Sequence, residues 1–125
     1  MKKKILIVED ETTILNILAE RFTSEGFEVF SAENGKIGLE LAFKNHPDII
    51  LLDIIMPVMD GMAMLDVIRK DVWGEHVHVI LLTNLSDNEK VFTSNRNGVF
   101  DYLIKCNMTM DNIVQTVEEK LTKSS

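Results

Sequence analysis

Short apolar runs alternate along the chain with segments whose apolar residues recur at helical spacing. Ile5-Leu6-Ile7-Val8 is apolar at every position, as in a strand covered on both faces. Ile14, Leu18 and Phe22 then share one helix face, and Gly26 supplies the stop. Phe27 to Phe30 reads as a strand with Glu28 outward. Ile37, Leu41 and Ala42 mark a second helix, closed by Asn45-His46-Pro47, because the residue before a proline avoids helical geometry. Ile49-Ile50-Leu51-Leu52 is another fully apolar strand, and Met64, Leu65 and Ile68 mark a third helix. Val77 to Leu82 reads as a strand expected at the centre of the sheet. Ser86-Asp87-Asn88-Glu89 has the spacing of a capping box and predicts a helix start. Only Val91 and Phe92 are large and apolar before Gly98, so this helix is expected to be the least firmly held element. Tyr102-Leu103-Ile104 is the last strand. Ile113, Val117 and Leu121 define the last helix, with Thr109 as its N-cap.

Strand and helix thus alternate in a (βα)5 pattern. It predicts a doubly wound α/β fold with a parallel five-stranded sheet, helices on both faces and right-handed crossovers. A single domain over residues 1–125 is expected, ordered over about 4–122, with Lys123-Ser124-Ser125 frayed. The net charge of -7 argues against direct nucleic-acid binding and fits protein or cation partners. No apolar run reaches the ~18 residues of a membrane helix. The basic head Lys2-Lys3-Lys4 leads into too short an apolar stretch for a signal peptide, so a cytoplasmic location without membrane insertion is expected. The single cysteine, Cys106, excludes an internal disulfide and a multi-cysteine zinc site.

In such sheets, sites lie beyond the carboxyl ends of the strands. Those ends carry Glu9 and Asp10, Asp53, Thr83 and Lys105. Each alone reads as a strand meeting water; together they form a chemically matched set. Carboxylates gathered in one crevice repel one another, at about 4 kcal/mol per pair for ~4 Å and an effective dielectric near 20. A proton or a cation must compensate. An all-oxygen set suits magnesium, or manganese in its place, and the lack of cysteine and histidine there disfavours zinc. Asp53, fixed at the end of a buried strand, has the chemistry of a nucleophile toward phosphorus that forms an acyl phosphate. The new phosphoryl oxygens would be neutralised by the cation, the Lys105 ammonium and the Thr83 hydroxyl.

With these residues in view, the chain resembles the receiver domain of two-component response regulators, of the stand-alone CheY-like kind, over nearly its whole length. The stretches that carry the resemblance are Ile5-Leu6-Ile7-Val8-Glu9-Asp10-Glu11, Asp48 through Gly61 with its Asp-x-x-Met-Pro-x-Met-Asp-Gly run, Leu81-Leu82-Thr83, and Asp101-Tyr102-Leu103-Ile104-Lys105. The resemblance implies a flavodoxin-like strand order 2-1-3-4-5. It implies that Asp53 is phosphorylated by a histidine kinase or a phosphotransfer protein. It also implies magnesium held directly by Asp10 and Asp53, by Glu9 through water, and by the backbone carbonyl of Ile55. Lys105 and Thr83 match the residues that contact the phosphoryl group, and Tyr102 matches the switch aromatic. The implied output face, for a downstream protein target, is formed by the helix starting at Ser86, the last strand and the last helix. Such a chain is expected to be a signalling phosphoacceptor rather than an enzyme, with no effector domain following it.

Two positions depart from the family pattern. Cys106 stands where proline usually follows the lysine, so a trans Lys105–Cys106 bond and a reshaped loop are expected, a cis non-proline bond costing about 3 kcal/mol. Asn84 stands where a very small residue usually follows the switch hydroxyl. Ile55 and Leu85 flank the site and are expected to slow loss of the phosphoryl group by hindering water. The residues leave a second reading open, a receiver-like docking module that is not phosphorylated. A third, a phosphatase with an aspartate nucleophile, needs a second acid where Ile55 stands. His46, His76 and His78 are too scattered for a metal set. Trp73 is expected over the loop after the third helix, with a place within reach of the site, as an optical probe, as the alternative.

Overall fold

The computed structural model describes residues 2–53, 56, 58–83, 101–104 and 109–123, the last residue and residues 83 and 101–104 by their backbone alone. The strands are β1 (Lys4–Val8), β2 (Glu28–Ala32), β3 (Ile49–Asp53), β4 (His78–Thr83) and β5 (Asp101–Ile104). They form one parallel sheet in the order β2-β1-β3-β4-β5. The described helices are α1 (Thr12–Ser24), α2 (Gly35–Asn45), α3 (Gly61–Arg69) and a C-terminal helix (Met110–Lys123). The doubly wound fold expected from the sequence is therefore present. The helix expected from Ser86 lies outside the described residues.

The period-two alternation of strands sorts the core into two layers. Leu6, Val8, Ile50, Leu52, Val79 and Leu81 pack under α2 and α3, against Ala42, Met64, Leu65 and Ile68. Ile5, Ile7, Ile49, Leu51, Ile80 and Leu82 face the other way, against Leu15, Leu18 and Phe22 of α1 and Ile113, Val114 and Val117 of the C-terminal helix. Burial on both faces explains why β1 and β3 carry unbroken apolar runs.

Several expectations shift in detail. β2 runs from Glu28 to Ala32, not Phe27 to Phe30. Phe27 precedes the strand and packs edge-on against Phe22, with ring centroids 5.3 Å apart. β4 begins one residue later than expected, at His78, and is an interior strand between β3 and β5, in the order that the resemblance implied. On α2 the buried positions are Gly35, Gly38 and Ala42, while Ile37 is 40% exposed. Thr109 does cap the C-terminal helix, its Oγ1 accepting from the Asn112 N–H at 3.1 Å.

α3 is tied to β4 through a tight turn, a 3-10 helix over Trp73–Glu75. Arg69 at the end of α3 donates from Nη1 to the carbonyls of Gly74 (2.8 Å) and Val77 (2.7 Å). Its burial pushes the guanidinium pKa down from its ordinary value, yet this group stays charged at any physiological pH. Trp73 stacks on His46, with centroids 4.7 Å apart and planes 9° from parallel, and meets Phe43 edge-on. His46 leads into β3 and Trp73 into β4, so both sit at the amino ends of strands. Trp73 thus lies in the turn after α3, as expected, at the pole opposite Asp53 and not within reach of the site. On the other face Arg21 of α1 reaches Asp111 (2.7 Å) and Glu25 (2.9 Å), and its pKa is raised chiefly by the bond to Asp111. An exposed pair of this kind adds little stability.

Candidate metal centre

The carboxyl end of β1 and that of its neighbour β3 deliver acids to one notch. Glu9 follows Val8, and its backbone N–H donates to the Ala32 carbonyl at 3.0 Å, extending the ladder by one residue and fixing the side chain's origin. Asp53 is the last residue of β3, opposite Leu82 of β4. Glu9 is fully buried and Asp53 is 6% exposed, while Asp10 is exposed. One carboxylate oxygen from each of these three residues lies within 4.8 Å of the others. The sequence-predicted acids are thus brought together.

The donor chemistry fits a hard divalent cation. All three candidate ligands are carboxylates, two of them on rigid strand ends, and the exposed third leaves a side open to water and a substrate oxygen. Glu9, Asp10 and Asp53 are the residues that would hold it. Thr83 closes β4 one position past Leu82, the partner of Asp53, and its backbone pairs with Ile104 of β5. Tyr102 pairs with Leu81. The side chains of Thr83 and Tyr102, and all of Ile55, Asn84, Leu85, Lys105 and Cys106, lie outside the described residues.

The connection from β3 to α3 is anchored on both sides. Met56 is buried. Asp60 caps α3, its Oδ1 accepting from the Ala63 N–H at 2.8 Å. Between them Val58 has φ +70° while 76% exposed. A β-branched residue in the left-handed region is strained, and such strain persists only where its surroundings impose it. Val58→Gly is expected to stabilise the fold by about 1 kcal/mol, relief of the strain outweighing the added chain entropy of glycine when unfolded. A lower urea midpoint for the variant would refute this account of the loop.

Two capping residues at this end, Asn34 and Asp60, were not singled out by hydrophobic periodicity, although each precedes a Gly that opens a helix. Asn34 Oδ1 accepts from the Ile37 N–H at 2.9 Å. The signal was available in the preference of Asn and Asp for the N-cap.

Comparison with known proteins agrees with this geometry. Residues 5–118 match the model of the response regulator receiver domain family. The sporulation initiation phosphotransferase F of Bacillus subtilis is 36% identical over 105 residues, covering 84% of this chain and 83% of its own length. The probable transcriptional regulator ycf27 of Porphyridium aerugineum is 36% identical over 104 residues, 83% of this chain. The chain spans only 42% of that regulator's length. The receiver domain of a sensor histidine kinase from Pseudomonas aeruginosa, solved with magnesium coordinated in its active-site cleft, superposes with a TM-score of 0.85 at 26% identity, covering 98% of this chain and 99% of that one. Among the described residues no helix is long and apolar enough to cross a membrane. With a (βα)-wound sheet of the same strand order and the acids at its carboxyl end, the chain belongs to the response regulator receiver domain family of two-component signalling systems.

Proposed function

We propose that this chain accepts a phosphoryl group on Asp53 from a histidine kinase or phosphotransfer protein, in a reaction that depends on magnesium or manganese, and passes the signal on by protein contact. The observation that carries the reading is the convergence of Glu9, Asp10 and Asp53 within 4.8 Å. The magnesium in the Pseudomonas aeruginosa receiver supports the choice of cation. A bound divalent cation supplies positive charge for the carboxylates and for the phosphoryl oxygens.

The chain's own residues account for the rest. β3 holds the Asp53 carboxylate at the mouth of the notch, pointing a fixed nucleophile at an incoming phosphorus. As the oxygen–phosphorus bond forms, the bond from phosphorus to the donor breaks and its electron pair leaves with the donor. Following the resemblance, the Thr83 hydroxyl and the Lys105 ammonium contact the transferred group. Tyr102 couples that contact to the face made by β5, the C-terminal helix and the helix expected from Ser86, where a downstream protein would bind. The chain acts as phosphoacceptor and catalyses only its own phosphorylation and dephosphorylation. An apolar groove of about 210 Å³, lined by Ile14, Ile17, Leu18, Leu82, Thr109, Met110 and Ile113, opens between α1 and the C-terminal helix.

The test is uptake of phosphoryl from a small acyl phosphate, or of beryllofluoride, by wild type and by Asp53→Ala, each with magnesium and with chelator. Uptake is expected for wild type with magnesium alone. No uptake by wild type would leave the docking module as the reading; equal uptake by the Ala variant would move the acceptor elsewhere.

A further inference from the structure

Helix α2 turns glycines toward the protein where its neighbours would want side chains. Gly35 and Gly38 are both buried, and their contacts differ in kind. A Cβ on Gly38 would meet side chains, the Met64 Cε and Val8 Cγ2 at 3.0 Å. A Cβ on Gly35 would lie 2.6 Å from the Met59 backbone carbonyl oxygen and 3.1 Å from that residue's Cβ and Cγ. Side chains turn aside; a carbonyl moves only with its chain. The first turn of α2 is therefore seated directly on the connection that leaves Asp53 and enters α3. Strain at Val58, next to Met59, shows that the backbone at this point is held by its surroundings rather than by local preference.

We propose that Gly35 is a positioning residue for the cation site: lacking a side chain, it lets α2 clamp the Met59 carbonyl and so fixes Val58 and Met59 on the path from Asp53 into α3. The proposal rests on the reading that Glu9, Asp10 and Asp53 hold a cation. The clamp is kept in place by Asn34, whose side chain caps the same turn through the Ile37 N–H. Cation affinity depends on groups that orient the ligands without touching the metal, and losing such support typically costs about tenfold or more.

The experiment is calorimetric titration of magnesium into wild type, Gly35→Ala, Gly38→Ala and Asn34→Ala, with a thermal melt of each. Gly35→Ala is expected to bind magnesium about tenfold more weakly. Gly38→Ala, whose added methyl meets core side chains, is expected to melt lower and keep wild-type affinity. Asn34→Ala, which frays the turn without a clash, is expected to lose at least about twofold, because part of the loosening of the capped turn reaches the site. Wild-type affinity in a folded Gly35→Ala protein overturns the clamp. Should Gly35→Ala fail to fold, unchanged affinity in Asn34→Ala overturns it instead. Equal loss in Gly35→Ala and Gly38→Ala also overturns it, because general loosening of α2 would then suffice. Absence of magnesium binding by wild type is a different result, and removes the cation reading itself.

Discussion

In chelator, the Asp53→Asn protein is expected to melt above the wild type while accepting no phosphoryl group. The reason is the notch itself. Glu9, Asp10 and Asp53 bring carboxylate oxygens within 4.8 Å, with Glu9 and Asp53 buried. Two such charges at ~4 Å repel by about 4 kcal/mol at an effective dielectric near 20. The exposed Asp10 can turn toward water, so the expected gain on neutralising Asp53 is smaller, about 1–2 kcal/mol. For a domain of this size that is a rise of roughly 4–8 °C. Asparagine keeps the shape of the side chain and removes the charge, so packing is held constant. Magnesium should reverse the order. At a hundred times its dissociation constant a ligand stabilises by about 2.7 kcal/mol, and the variant, short of one anionic ligand, gains far less. Scanning calorimetry of both proteins in chelator and in magnesium decides it. A variant that melts below wild type in chelator would show that the acids do not strain the fold.

Gly74→Ala is expected to be the most damaging small substitution at the opposite pole. A Cβ there would collide with the Ile68 carbonyl oxygen and lie 2.6 Å from Ile68 Cγ2. Ile68 is fully buried, so neither atom has room to retreat. The turn must open, and with it the bonds from Arg69 Nη1 to Gly74 and Val77. Forced overpacking costs about 1–3 kcal/mol, and loss of these two bonds from a half-buried guanidinium adds about 1–3 kcal/mol more. A combined loss of about 3 kcal/mol or more would appear as a large fall in the urea midpoint with little change in slope. Magnesium affinity should be unaffected in whatever fraction folds, since Gly74 lies at the amino-end pole of the sheet. A Gly74→Ala protein as stable as wild type would contradict the close approach.

The layout of the fold was legible because its signals are local. Ile5 to Val8 and Ile49 to Leu52 are apolar throughout, which only a strand covered on both sides tolerates, and the helical stretches between them repeat every three or four residues. The acids at Glu9, Asp10 and Asp53 were legible for the same reason, since each ends an apolar run. Edges were less certain. Phe27 is as apolar as a strand residue, yet it serves as the ring against Phe22 before the strand begins. Ile37 obeys the helical period, yet α2 lies so close to β1 that glycines occupy the inward face and Ile37 is left half outside.

By itself, then, the order of residues determined the alternation of strand and helix, the two-sided burial of β1 and β3, and the chemical kinds waiting at the strand ends. Only the assembled sheet decided that Trp73 would stack on His46 away from the acids, that Met59 would seat on Gly35, and that Glu9, Asp10 and Asp53 would share one notch. The division has a physical cause. Periodicity records which side of an element avoids water, a property of neighbours along the chain. Strand order, the seating of Met59 on Gly35 and the distances among the acids depend on contacts between segments far apart in sequence, and no local pattern encodes them.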